Sequence, residues 1–249
     1  MTAPAIDVAA WASPWRRRSP GDKLLLGLGL VIAALVLPPW PASGLVTLVS
    51  LGLLLGPARV PAHLLARAAR GPAAFILLGT VSIAVTWRTD GFGPAVTGPS
   101  LRAAAQTLAH AVAGSSAVLL LAATTPMTDL LAWARRRGVP EAVVDVAGLI
   151  YRMLFVLLES IGAVRAAQTA RLGYTTRRAT LRSASTLAAA TLTRALERAR
   201  RLESGLAGRG FEGVMRTLAQ PRRSSPSFVV ATVLGLGALV AVSVSWGRW

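Results

Sequence analysis

The side chains able to do chemistry in this chain are few and scattered. There are two histidines, His63 and His110, and ten acidic residues among 249. Neither histidine has a carboxylate three or four residues away, and the acidic residues form no close pair with metal-ligand spacing. Lys23 is the only lysine and lies outside any Gly-rich phosphate-binding context, and no Gly-x-Ser-x-Gly elbow occurs. Absence of cysteine excludes disulfides, Fe–S clusters, Cys-zinc sites and thiol catalysis. No catalytic residue and no metal site are therefore expected. What remains is arginine. Ala170-Arg171-Leu172-Gly173 and Gly208-Arg209-Gly210 each place an arginine beside glycine at the end of a helical stretch. A guanidinium projecting beyond a helix end can grip a partner's carboxylate or backbone carbonyls. The plainer reading is a C-cap whose arginine complements the helix dipole. By pattern alone the cap is the preferred reading, and two such ends within one basic block shift the balance toward docking.

The elements that carry these arginines are helical in pattern. Thr125, Pro126 and Asp129 read as a helix start, with Thr125 as cap, and Arg135-Arg136-Arg137-Gly138 as its end. Pro140 opens a longer helix, apolar from Ala142 to Val164 and running on to Gly173. Asp145, Arg152 and Glu159 interrupt it at seven-residue spacing, which puts them on one stripe. Each such charge costs roughly 2.5–3.5 kcal/mol at mid-bilayer. The stripe therefore favours a helix lying along the interface, or packed with the stripe toward polar partners; a true span is the alternative. Arg177, Arg178 and Arg182 read as a basic connection. A second amphipathic helix follows from about Leu181 to Gly208. Its apolar face is Ala184, Ala188, Thr191, Ala195, Ala199, Leu202 and Leu206, and Glu197–Arg201 forms an i,i+4 pair.

Composition supplies the setting. Hydrophobic residues make up 53% of the chain, mean hydropathy is +0.56, and the 15% that are charged are clustered. That is the pattern of a multi-span membrane protein. Of 27 basic residues, 17 fall between Arg135 and Arg223, so the positive-inside rule places that block in the cytoplasm. With a net charge of +17, nucleic acid, anionic lipid and acidic protein are all candidate partners. Flanking spans and interspersed Glu141, Asp145, Glu159, Glu197 and Glu203 argue against nucleic acid.

Residues 1–22 read as a short tail, either unstructured or in the headgroup layer through Trp11, Trp15 and Arg16–Arg18. Leu24–Leu37, kept as a first span and not removed as a signal, and Gly44–Leu55 are short for a crossing of ~20 residues. They cross with flanking residues included, or form a re-entrant pair. Pro61–Arg70 reads as an interfacial helix, Pro72–Trp87 as a third span and Thr89–Ser100 as an outer loop. Leu101–Ala123 reads as a fourth span, with Ala109, Ala113 and Ala117 allowing close helix approach. Phe228–Trp246 is the clearest span. The expected fold is thus all-α: a polytopic membrane protein of about five transmembrane helices with long cytoplasmic coupling helices. The expected divisions are 1–123, 124–226 and 227–249.

Thr124-Thr125-Pro126 with Leu130-Leu131, Gly138-Val139-Pro140, Tyr151-Arg152 and Arg209-Gly210-Phe211 occur in this order between residues 124 and 211. The order resembles the transmembrane T component of energy-coupling factor (ECF) transporters. Ser13-Pro14-Trp15, Pro20 and Lys23 are similar to its cobalt branch, the CbiQ family. The resemblance implies a scaffold in the bacterial inner membrane, working with a pair of ABC-type ATPase subunits and a substrate-binding membrane subunit. ATP is then bound by the ATPases and no cofactor by this chain. Family members carry two Ala-Arg-Gly signatures whose arginines dock into the ATPases. Arg209 and Gly210 keep the second; Ala170 and Arg171 keep part of the first, with glycine displaced to 173. Cobalt or nickel is the implied substrate. A vitamin transporter of the same build, such as one for biotin, is an alternative. An intramembrane lipid or phosphate enzyme is another, without the paired ligands it needs.

Overall fold

The computed structural model describes residues 5–87, 94–210 and 224–246. Nine α-helices run through them: α1 (Ala5–Ala12), α2 (Pro20–Val36), α3 (Pro39–Leu55), α4 (Ala62–Ala84), α5 (Gly98–Thr124), α6 (Met127–Arg136), α7 (Glu141–Ala170), α8 (Arg177–Ala207) and α9 (Pro226–Trp246). The strands among the described residues are β1 (Val85–Trp87) and β2 (Pro94–Val96), a short antiparallel pair with Val85 opposite Val96. The protein is an all-α, polytopic membrane protein. α4, α5 and α9 are long and apolar enough to cross a bilayer. α2 and α3 have 17 residues each, about 25 Å of helix.

The chain forms two compact units. One comprises residues 4–130 and 220–249, and the other, residues 131–219, is inserted between them in sequence. In the first unit α5 is the hub against which α1 to α4 pack. Its contact face is Ala104, Ala113, Ala117, Leu120 and Thr124, buried at helical spacing. Ala113 and Ala117 allow close approach as expected, while Ala109 is only half-buried. Leu26, Leu30, Ala33 and Ala34 of α2 and Val46 and Leu54 of α3 complete the core. Ser43 and Ser50 are equally buried with hydroxyls that have no hydrogen-bond partner, so on α3 they serve through their small size.

Two adjacent buried charged residues, Asp22 and Lys23, stand in the first turn of α2. Lys23 donates from Nζ to the Thr124 carbonyl at the end of α5, at 2.8 Å. Asp22 accepts from the Ser224 hydroxyl (2.6 Å) and the Ser225 amide (2.9 Å), just before α9. Adjacent residues of one helix thus hold the two segments of this unit that flank the inserted one.

Several sequence expectations need correction. Residues 5–17 are not a tail: α1 and a following 3-10 turn (Pro14–Arg17) bury Ala9, Ala10 and Trp15, and Ser13 Oγ donates to the Ala58 carbonyl at 3.0 Å. Pro61–Arg70 and Pro72–Trp87 are not separate elements, because Pro72 lies inside the continuous α4. α5 starts at Gly98, where Thr97 and Ser100 make a capping box that the loop assignment missed. Thr125 does not cap α6 with its side chain; its Oγ1 is buried without a hydrogen-bond partner, and the Pro126 carbonyl accepts from Asp129 and Leu130. Arg177 and Arg178 are not a connection but the first turn of α8, which Thr176 caps through the Ala179 amide. Trp249, Arg222, Arg223, Phe211, Arg88 and Asp90 lie outside the described residues, as does the side chain of Trp87.

Candidate functional site

The inserted unit is built on α6, α7 and α8. The α6–α7 turn is fastened by an ion pair between Arg135 and the buried Asp145. α7 and α8 form an antiparallel hairpin. Gln168 Nε2 donates to the Ser183 carbonyl (3.0 Å) near the turn, and Arg194 donates to Ser160 Oγ (2.8 Å) further along. Tyr174 donates its hydroxyl to Gln168 Oε1 at 2.7 Å, and Ser183 Oγ donates to the Gly173 carbonyl at 2.8 Å. Gln168, Gly173, Tyr174 and Ser183 therefore lock the elbow.

This lock sets the rotation of α8. Ser183, Leu187, Ala190, Thr191, Ala195, Leu202 and Leu206 are partly buried, whereas Ala184, Ala188 and Ala199 of the expected apolar face are exposed. In a run of Ala, Ser and Thr the hydropathy pattern is weak, and the polar contacts of Ser183 decide which side turns inward. Further on, Glu197 and Arg201 form the expected i,i+4 pair at 3.5 Å, exposed to solvent.

All three helices of this unit end alike. At α6, Val139 N–H bonds to the Ala134 carbonyl and Gly138 N–H to Arg135, with Gly138 at φ +86°. At α7, Gly173 N–H bonds to Gln168 and Leu172 N–H to Thr169, with Leu172 at φ +57°. Both are Schellman turns with arginine as the last residue before the left-handed one. At α8, Gly210 N–H bonds to the Ala207 carbonyl and has φ +68°, again directly after an arginine. The three arginines thus stand at the negative ends of their helices, where cations are favoured.

Their surroundings differ. The Arg137 guanidinium lies 5.3 Å from the Trp133 ring centroid. Arg171 and Arg209 are exposed, and among the described residues neither has an ion-pair or side-chain hydrogen-bond partner. Ala170, also exposed, is the last residue of α7. The displaced glycine of the first end has a steric explanation. A Cβ on Gly173 would stand 2.6 Å from Ser183 Oγ and 2.9 Å from the Gln168 carbonyl oxygen. Glycine is needed at 173 for close approach, and Leu172 takes the left-handed position that glycine at 172 would fill with less strain.

Of the seven-residue stripe, Asp145 is buried against Arg135, while Arg152 and Glu159 are exposed. Among the described residues no group of three or more His, Asp or Glu could hold a metal. His110 bridges helices, with Nδ1 3.1 Å from the Gln106 carbonyl oxygen and Nε2 3.3 Å from that of Leu37. Sequence reasoning missed the elbow lock and the Asp22–Lys23 pair. Two adjacent charges opening an otherwise apolar helix were a usable signal, because such charges stay buried only when partnered.

These features define a polytopic helical membrane protein carrying an inserted, arginine-tipped helical unit. Residues 12–220 match the cobalt transport protein family CbiQ, and the chain belongs to that family. It is 41% identical over 240 residues to the cobalt transport protein CbiQ of Rhodobacter capsulatus, covering 96% of this chain and 97% of that protein. It is 28% identical over 219 residues to CbiQ of Salmonella typhimurium, covering 84% and 97%. A putative fused cobalt transport protein CbiMQ of Methanocorpusculum labreanum is 29% identical over 239 residues, 92% of this chain and 40% of that protein.

Proposed function

We propose that this chain is the transmembrane component of an ATP-driven ECF importer for cobalt, and that it transmits motion without catalysing a reaction or capturing the ion itself. The family match over residues 12–220 and the cobalt transport relatives support the transport assignment. The relative described as a fusion, of which this chain covers 40%, supports work alongside a further subunit. In this reading the protein sits in the bacterial plasma membrane with residues 124–226 cytoplasmic. A pair of ABC-type ATPases binds ATP and receives Arg171 and Arg209, with Ala170 and Gly210 allowing close contact at each tip. The α7–α8 hairpin carries ATPase closure to a substrate-capture membrane subunit.

The observation behind the coupling role is that both long helices of the inserted unit end in an exposed arginine, without a side-chain partner among the described residues, followed by a left-handed residue. The locked elbow makes the two helices move as one body. Arg209→Glu tests it. Reversing a docked charge costs about 2 kcal/mol or more, roughly thirtyfold in affinity. Co-purification with the ATPases and cobalt uptake should both fall, with Arg171→Glu milder because α7 keeps only part of the signature. Normal assembly and uptake by the Arg209→Glu variant would overturn the docking role.

A further inference from the structure

The first unit contains a groove that the coupling role does not use. It runs between α2, α3 and α9, has a volume of about 410 Å³, and is walled by residues such as Leu30, Val49, Leu236 and Val242. Apart from Thr232 and the Trp15 ring nitrogen, every lining side chain is apolar. From Phe228 to Val242 it follows α9 for about 21 Å, longer than the ~15 Å of hydrocarbon in one leaflet.

At one end the groove meets Arg18, with Arg16 next to the lining residue Trp15 in sequence. Trp15 and Phe228 line it there, in edge-to-face contact at 5.6 Å. The Arg18 guanidinium lies 4.6 Å from the Phe228 ring centroid and 5.8 Å from that of Trp15. Arg16 lies 3.9 Å from the Trp11 ring centroid, and its Nε is buried with no hydrogen-bond partner. Among the described residues none of Arg16, Arg17 and Arg18 is ion-paired with a carboxylate. Asp22, the nearest carboxylate in sequence, has both oxygens engaged by Ser224 and Ser225. An apolar channel a leaflet deep, with cations beside one end that have no carboxylate partner among the described residues, complements an amphiphile with one anionic head.

We propose that this groove holds an anionic phospholipid, its acyl chain lying along α9 and its phosphate held by Arg16 and Arg18. Free phosphate would leave the channel unfilled. A zwitterionic lipid would fill the channel and bring its own cation to the arginines.

Native mass spectrometry of the full chain in detergent, with equal amounts of palmitoyl-oleoyl phosphatidylglycerol and phosphatidylcholine added, tests this. Retention of phosphatidylglycerol should exceed that of phosphatidylcholine by about fivefold per engaged arginine. Arg18→Gln should remove about fivefold of that preference and leave phosphatidylcholine unchanged. Gly235→Leu should reduce retention of both lipids by filling the groove. A Cβ at 235 meets nothing within 4 Å, and leucine is the better helix former, so this variant is expected to fold. Equal retention of the two lipids, or phosphatidylglycerol retention unchanged in both variants, overturns the proposal. So does a purified complex that retains no lipid while the isolated chain does, because a protein subunit then covers the groove.

Discussion

Leu172→Gly should tighten the elbow that joins the two long helices. Leu172 closes α7 at φ +57°, a region that costs a residue with a Cβ roughly 1–2 kcal/mol. Its side chain is 71% exposed, so removing it forfeits little buried apolar surface. Glycine also gives the unfolded chain more freedom, an opposing term of about 0.5–1 kcal/mol. The balance is a gain of about 0.5–1 kcal/mol, which slows local opening by roughly two- to fivefold. Amide hydrogen exchange of peptides spanning 165–176 reads that opening directly. Leu172→Ala keeps the Cβ and should bring no such gain. Gly210→Ala provides the reverse test, because its Cβ meets nothing within 4 Å and its cost is purely conformational. It should speed opening at the end of α8 by a similar factor. If Leu172→Gly exchanges as fast as the parent, or Leu172→Ala slows exchange equally, left-handed strain does not govern this turn.

Gly173→Ala should loosen the elbow by about 1–3 kcal/mol, because its Cβ would meet a backbone carbonyl oxygen at 2.9 Å as well as the Ser183 hydroxyl; faster exchange around 168–183 is the readout. Lys23→Met keeps the length of the side chain but leaves the Thr124 carbonyl without its donor, at a cost of about 1–3 kcal/mol. Thermal unfolding in detergent should shift down by several degrees, and an unchanged midpoint would contradict the pinning role. Arg178→Cys, exposed in the first turn of α8 of a chain with no native cysteine, should react with a membrane-impermeant maleimide only after cells are opened. Labelling of intact cells would place the inserted unit on the wrong side.

Much of the architecture was legible because its signals are long. The apolar runs leading to α5 and α9 and the helices opened by Pro140 and closed near Gly210 follow from hydropathy and from Pro and Gly punctuation. Pro72 misled: proline usually marks a boundary, but α4 continues through it. The N-terminal helix was missed because Ala5–Ala12 is short and its burial comes from contacts with distant elements. At the candidate site, the places of Arg171 and Arg209 at the ends of α7 and α8 were visible from the glycines beside them. Gly173 read as a helix terminator, and its amide does close the turn at the end of α7; what the sequence did not show is that Ser183 of the next helix leaves no room there for a Cβ. Such a requirement is written in tertiary contact, and no local pattern carries it.

The pairing of Asp22 with Ser224 and Ser225 has a consequence for how the protein is made. The carboxylate is synthesised early and its partners some 200 residues later. Until Ser224, Ser225 and α9 emerge, a negative charge destined for burial stays without its final hydrogen bonds, and α2 cannot settle against α9. Completion of the bundle is therefore linked to the synthesis of Ser224, Ser225 and α9. A chain that stops short of Ser224 would carry an unsatisfied charge at the start of α2, a mark by which membrane quality control could distinguish it from one that includes α9.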